Sequence, residues 1–186
     1  MHEQNTKLEE LISSIIKIEL NMFQRVRSVV PSLCQERPET FKVMRGMTYS
    51  VLSVDTLESY HEDLREAETG GRNLLTEKYA RIDNLIPPLK TNALIDQLVE
   101  IETTWMEEFA AKHPHILQGQ SAGFRCYLAS ELETYSDRTI DLYVKDVLKA
   151  RKEGRNLAEE RYETLAECLG YDSLADMELA IGKKSP

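Results

Sequence analysis

Apolar residues near the start of the chain recur at helical spacing: Leu8, Leu11 and Ile12, Ile15, Met22 and Phe23, and Val26 share one stripe. The stripe predicts a helix over residues 6–30. Thr6 is its expected N-cap, with Glu9 at the spacing where hydroxyl and carboxylate satisfy each other's backbone amides. One position breaks the pattern, because Glu19 stands where a core residue belongs. A second stripe, Ile95, Leu98, Trp105, Met106 and Phe109, predicts a helix over residues 92–112, and Glu102 breaks it in the same way. Between and after these, the pattern predicts short helices over residues 39–52 and 123–135, long ones over 54–85 and 137–169, and a last short one over 174–181. Ser53 and Ser136 are the expected N-caps of the long pair.

The two glutamates lie 83 positions apart, and so does much else. Residues 60–79, YHEDLREAETGGRNLLTEKY, align without a gap to residues 143–162, YVKDVLKARKEGRNLAEERY. Tyr60, Asp63, Ala67, Gly71, Arg72, Asn73, Leu74, Glu77 and Tyr79 recur as Tyr143, Asp146, Ala150, Gly154, Arg155, Asn156, Leu157, Glu160 and Tyr162. A match of that length implies a tandem duplication. The expected fold is therefore all-α: a bundle of about six main helices, built from two three-helix repeats related by a pseudo-twofold. It forms one domain over residues 1–186, with halves of about 8–88 and 91–171. Each half is too short to close a core alone, so the two should share one interior.

The glycine inside the repeat can be read in two ways. Gly71 can end one helix with Asn73 capping the next, the usual role of both residues. Alternatively, positions 60, 63, 67, 71, 74 and 77 hold one helical phase, which favours an uninterrupted helix roughly 45 Å long. The second reading is preferred on phase, and it requires another backbone to pass close to Gly71.

Composition narrows the function classes. A net charge of −9 over 186 residues argues against nucleic acid or an anionic membrane as partner. No apolar run approaches membrane-span length, and the start MHEQNTKLEE lacks the plan of a signal peptide. Cys34, Cys126 and Cys168 are odd in number and have no metal-ligand spacing, so they read as reduced thiols of a cytoplasmic protein. Cys126, with no base at suitable spacing, is expected to be a buried structural thiol. The sequence holds no phosphate-cradling glycine loop, nucleophile elbow or dinucleotide fingerprint.

What remains is charge in unexpected places. Arg45 occupies the slot of Leu128 in the second copy, and Glu131 the slot of Thr48 in the first, so a cross-repeat pair is expected. Asp63, Asn73 and Glu77 with their counterparts, Arg72 and Arg155, and Glu19 and Glu102 could gather at the junction of the repeats. Such carboxylates can bind metal, hold raised pKa values for acid–base work, or be neutralised structurally by arginines. The one Glu-x-x-His, Glu58 to His61, has no histidine in its second copy and points off the stripe. No metal and no cofactor is expected. The candidate ligand-binding residues are Glu19, Arg45, Asp63, Arg72, Glu102, Glu131, Asp146 and Arg155, with carboxylates accepting protons or cations and arginines clamping an anion.

The segments IELNMFQRV, CQERPETFKVMR, ESYHEDLREAETGGRNLLTEKYARI and YLASELETYSDRTIDLY together resemble the bacterial family known as domain of unknown function 4125. The resemblance spans residues 15–171 and implies a soluble, helical, prokaryotic protein without supplying a reaction. Two functions stay open. One is binding of, or action on, a small polar molecule in a carboxylate- and arginine-lined pocket between the repeats. The other is a non-enzymatic scaffold whose polar interior only fixes the packing.

Overall fold

The structure is a computed structural model that describes residues 2–26, 37–117 and 123–183. Cys34, the expected end of the first helix over residues 27–30 and the tail over 184–186 lie outside the described residues. The chain forms α1 (His2–Gln24), α2 (Pro38–Tyr49), α3 (Val54–Thr69), α4 (Leu74–Ile82), α5 (Ala93–Lys112), α6 (Phe124–Leu132), α7 (Asp137–Lys152), α8 (Leu157–Cys168) and α9 (Leu174–Gly182). The described residues contain no strand. Helix α1 already runs through Thr6 instead of starting there.

The helix count exceeds six because both expected long helices are broken at their glycines. Gly71 has φ +70° and Gly154 φ +71°, a left-handed conformation that no residue inside an α-helix adopts. At each site the backbone closes the helix end in the same way. Gly71 N–H donates to Glu68 O at 3.1 Å and Arg72 N–H to Ala67 O at 2.7 Å; Gly154 N–H donates to Arg151 O at 3.1 Å and Arg155 N–H to Ala150 O at 2.9 Å. This is the Schellman ending, which satisfies carbonyls left over at a helix C-terminus.

The asparagine two residues on then starts the next helix. Asn73 Oδ1 accepts from Thr76 N–H, and Asn156 Oδ1 from Ala158 and Glu159 N–H. Their amide groups reach back to the preceding repeat helix, Asn73 Nδ2 to Met22 O at 2.8 Å and Asn156 Nδ2 to Trp105 O at 3.1 Å. The arginine folds over the corner onto a glutamate of the new helix, Arg72 onto Glu77 and Arg155 onto Glu160. The twice-occurring Gly-Arg-Asn is thus a complete corner between two helices. The expected close backbone contact is absent: a Cβ on Gly71 or Gly154 would meet nothing within 4 Å. Phase failed as a guide because each flank is separately amphipathic, and a step of seven from Ala67 to Leu74 looks the same with or without a turn between them.

Helices α3 and α7 run antiparallel across the centre, and each completes the start of the other. Ser53 N–H, Ser53 Oγ and Thr56 Oγ1 all donate to Asp146 Oδ2, at 2.9, 2.9 and 2.6 Å. Reciprocally, Ser136 N–H and Thr139 Oγ1 donate to Asp63 Oδ2, at 2.9 and 2.7 Å. Around this crossing α1 packs on α2, α3 and α4, while α5 packs on α6, α7 and α8. The remaining large contacts join the two groups, α2 to α8 and α4 to α6. One apolar cluster runs through both, from Ile15, Leu57 and Leu64 to Leu98, Ile140 and Val147.

Candidate functional site

Both stripe-breaking glutamates are sealed inside the bundle, Glu19 at 0% exposure and Glu102 at 1%. A carboxylate can stay ionised there only if donors surround it. Glu19 is met by Arg45 of α2, whose Nε donates to Oε2 at 2.8 Å and Nη2 to Oε1 at 2.6 Å. Tyr49 and Tyr60 donate to Glu19 Oε1 at 2.7 and 2.8 Å. Arg45 Nη2 also reaches the Tyr49 hydroxyl and, at 2.6 Å, Glu131 Oε1. That is the expected cross-repeat pair. Glu131 in turn accepts from Lys78 Nζ at 2.7 Å and from the Tyr135 hydroxyl at 3.1 Å. Lys78 itself lies 3.5 Å over the Tyr127 ring, a placement in which the π face supports the charge.

The network around Glu102 is simpler. Arg161 of α8 holds it with two parallel bonds, Nη1 to Oε2 at 2.6 Å and Nη2 to Oε1 at 2.7 Å. Tyr143 donates to Glu102 Oε1 at 2.9 Å and accepts from Arg161 Nη2 at 2.9 Å. Arg161 is 6% exposed, and its Nε has no hydrogen-bond partner among the described residues.

The electrostatics follow from burial and pairing. Burial alone would raise the Glu131 pKa, but Arg45 and Lys78 outweigh it and hold the carboxyl well below the usual range. Burial opposes the charges of Arg45 and Arg161, yet their glutamates carry both pKa values above normal. Tyr49, Tyr60, Tyr135 and Tyr143 are pushed up, first by burial and then by the nearby carboxylates, so they remain protonated donors. Within the two networks, each of these groups is displaced away from neutral pH. The arrangement supplies fixed charges and hydrogen-bond donors, not a proton shuttle.

Against both networks lies a cavity of about 270 Å³. Among the described residues, the first half lines it through α2 and Leu52; Met106, Leu117, Phe124, Leu128, Tyr143 and Tyr162 close it from the second. Arg45, Glu131 and Arg161 reach its wall among methionines and tyrosines, so the space is largely apolar, whereas a polar pocket was expected. Phe23, 83 positions before Met106, stacks on Phe41 with ring centroids 4.8 Å apart and meets Tyr79 at 5.8 Å. Phe41 and Tyr79 are the counterparts of Phe124 and Tyr162. At the Phe23 position the second half has Met106, on the cavity wall, and Tyr162 stacks on Phe109 instead, at 4.4 Å.

Of the eight residues expected at a ligand site, Glu19, Arg45, Glu102 and Glu131 fall in the two networks. The other four do not. Asp63 and Asp146 cap partner helices, and Arg72 and Arg155 are exposed on the corners with Glu77 and Glu160. Sequence reasoning missed Tyr49, Tyr135, Lys78 and Arg161. A signal for the last two existed, since Lys78 and Arg161 stand 83 positions apart on their stripes. Glu58 pairs with Lys7 at 2.8 Å, while His61 Nε2 meets Ser14 Oγ at 2.9 Å. Cys126 is exposed, which corrects the expectation of a buried thiol: with Arg125 it sits on the outer face of α6 while Leu128, Glu131 and Leu132 face inward.

The molecule is thus an all-helical bundle with an ionic interior, and none of its described helices is long and apolar enough to cross a membrane. The chain belongs to the family described as Protein of unknown function (DUF4125), whose profile matches residues 9–179. No curated protein and no solved structure matches it.

Proposed function

We propose that this is a small-molecule-binding bundle. One domain over residues 1–186 consists of two repeats, about 8–88 and 91–171, related by a pseudo-twofold, and the ligand enters the cavity between α2 and the second repeat. The paired corners at Gly71 and Gly154, the reciprocal caps and the matched contacts α2 to α8 and α4 to α6 support the relation between repeats. The observation that carries the binding reading is the cavity itself, whose wall has Met106 at the position where Phe23 stacks on Phe41 in the first repeat. Arg45, Glu131 and Arg161 form the charged part of that cavity's wall, with Glu19 and Glu102 sealed behind it as their partners. Asp63, Asp146, Arg72 and Arg155 hold the frame. The net charge of −9 keeps nucleic acid out of the reading, and a bacterial cytoplasmic setting suits the free thiols and the family resemblance.

Native mass spectrometry of freshly purified protein tests the proposal. A ligand-sized adduct is expected on the natural chain, and its loss is expected in Met106→Phe, which rebuilds the first-half packing. An unmodified mass from every growth condition, together with a Met106→Phe variant that only melts higher, sinks it. That result supports a second reading favoured by the closed pairing of Glu19, Arg45, Glu131 and Lys78: a scaffold whose ionic core fixes the arrangement of its helices.

A further inference from the structure

The crossed pair α3 and α7 buries one side of each helix and leaves the other uncovered. The two copies agree on the buried side, where Tyr60, Asp63 and Ala67 recur as Tyr143, Asp146 and Ala150. On the outward side they reverse sign: Glu62 and Glu66 of α3 stand where α7 has Lys145 and Lys149. The exposed stripe of α3 is acidic, with Asp55, Glu58, Glu62 and Glu66 against one cation, Arg65. That of α7 is basic, with Arg138, Lys145, Lys149 and Lys152 against one anion, Asp141.

The stripes do not neutralise each other within one chain. Glu62 meets Arg138 at 3.4 Å across the outside of the crossing, so both stripes share one face of the molecule. Beyond that contact they part. The caps that join Thr56 to Asp146 and Asp63 to Thr139 set an antiparallel register, in which Glu66 is level with Ser136 and Lys149 with Ser53. Those two levels lie about 20 Å apart at the helical rise, well beyond the screening length of about 8 Å at physiological salt. Glu66, Lys145, Lys149 and Lys152 make no ion pair among the described residues. The face therefore has an acidic end and a basic end, and Leu148, 40% exposed, stands uncovered in the basic one.

We propose that this face binds a second copy of the same chain, turned end for end. A twofold axis lying in the interface, perpendicular to the helix pair, sets acidic end on basic end twice, an isologous contact that closes as a dimer. A polyanion on the basic end would meet the acidic end of the same face, and the net charge of −9 repels it at range. Complementary charge sets orientation and association rate more than affinity, so the dimer is reversible and weakened by salt.

Sedimentation velocity over a protein concentration series tests this. The natural chain should show a monomer–dimer equilibrium at low salt, with the dissociation constant raised about tenfold or more at high salt. Glu62→Lys with Glu66→Lys makes both ends basic; Lys145→Glu with Lys149→Glu makes both ends acidic. All four positions are exposed, and circular dichroism checks that the helices are kept. Each double variant alone should sediment as a monomer, and an equimolar mixture of the two should restore the dimer. If either fails to fold, the single changes Glu66→Lys and Lys149→Glu take their place in the mixing experiment. A natural chain that stays monomeric at low salt overturns the proposal. So does a mixture that does not reassociate, or a dimer that ignores salt and survives both reversals, because its contact lies on another face. Retention of a monomeric natural chain on heparin, lost in the lysine variant, overturns it in favour of a polyanion.

Discussion

Glu19 and Glu102 are equally buried, and each accepts a hydroxyl from a tyrosine 41 positions later, Tyr60 or Tyr143. Their cations nevertheless come from different helices. Glu102 takes Arg161 from α8. The counterpart of Arg161 is Lys78 of α4, and Lys78 turns instead to Glu131 of the other half. Glu19 is served by Arg45 of α2, which also bridges to Glu131. The comparison teaches that a buried anion and its hydroxyl donor can stay fixed while the balancing cation moves, provided that total charge closes. It also shows what the move achieved: the first half's cations cross-link the repeats, while the second half's pair is self-contained.

Removing the shared cation should have the largest effect. Arg45→Met leaves two buried carboxylates with Lys78 alone, whereas Arg161→Met orphans only Glu102. Losing one partner of a buried pair costs about 3–5 kcal/mol. Urea unfolding should place Arg45→Met at or above the upper end of that range and Arg161→Met nearer the lower. Equal losses would mean that the bridge to Glu131 contributes nothing.

Acid should then separate the networks. The folded-state pKa of Glu131 is depressed, so its stabilisation is present above the unfolded carboxyl value of about 4.3 and is lost as pH falls through the folded value. Glu131→Gln should cost about 3 kcal/mol at pH 7, with the gap to the natural chain closing below about pH 4. Melting curves at stepped pH check this, and a gap independent of pH refutes it.

A smaller and symmetrical effect is expected at the corners. Gly71→Ala and Gly154→Ala each place a Cβ in open space at positive φ, so strain alone acts, at about 1–2 kcal/mol each. Unequal losses would show that the two corners are not mechanically alike. The smallest effect belongs to the arginines above them. Arg72→Ala and Arg155→Ala remove exposed ion pairs, worth less than about 1 kcal/mol, and calorimetry should find both variants within a few degrees of the natural chain.

The helices and the buried glutamates were legible because they depend on spacing along one segment, and each pattern recurs at an offset of 83 positions. Arg45 and Glu131 were legible for the opposite reason, as places where the copies disagree. The corner at Gly71 was not, because amphipathic phase carries no information about the direction of the chain. Asp63 and Asp146 were assigned to a ligand although they cap helices 73 and 93 positions away, contacts that no local pattern contains. Lys78 sat in plain phase with its stripe, but its long apolar stem reads as core until a buried anion is found at its tip. The cavity escaped notice because its wall is assembled from α2 and from residues 106–162, segments far apart in the chain.

The way the buried charges are shared has a consequence for assembly. Up to the connection after α4, the contributions to the two networks are Arg45 and Lys78 against Glu19, a surplus of one positive charge; beyond it they are Glu102 and Glu131 against Arg161, a surplus of one negative charge. Two copies of the leading segment brought face to face would bury like against like, and so would two copies of the trailing segment. Only leading with trailing closes neutral. Halves of similar pattern run the risk of packing like against like, and the lysine and the bridging arginine weigh against that pairing.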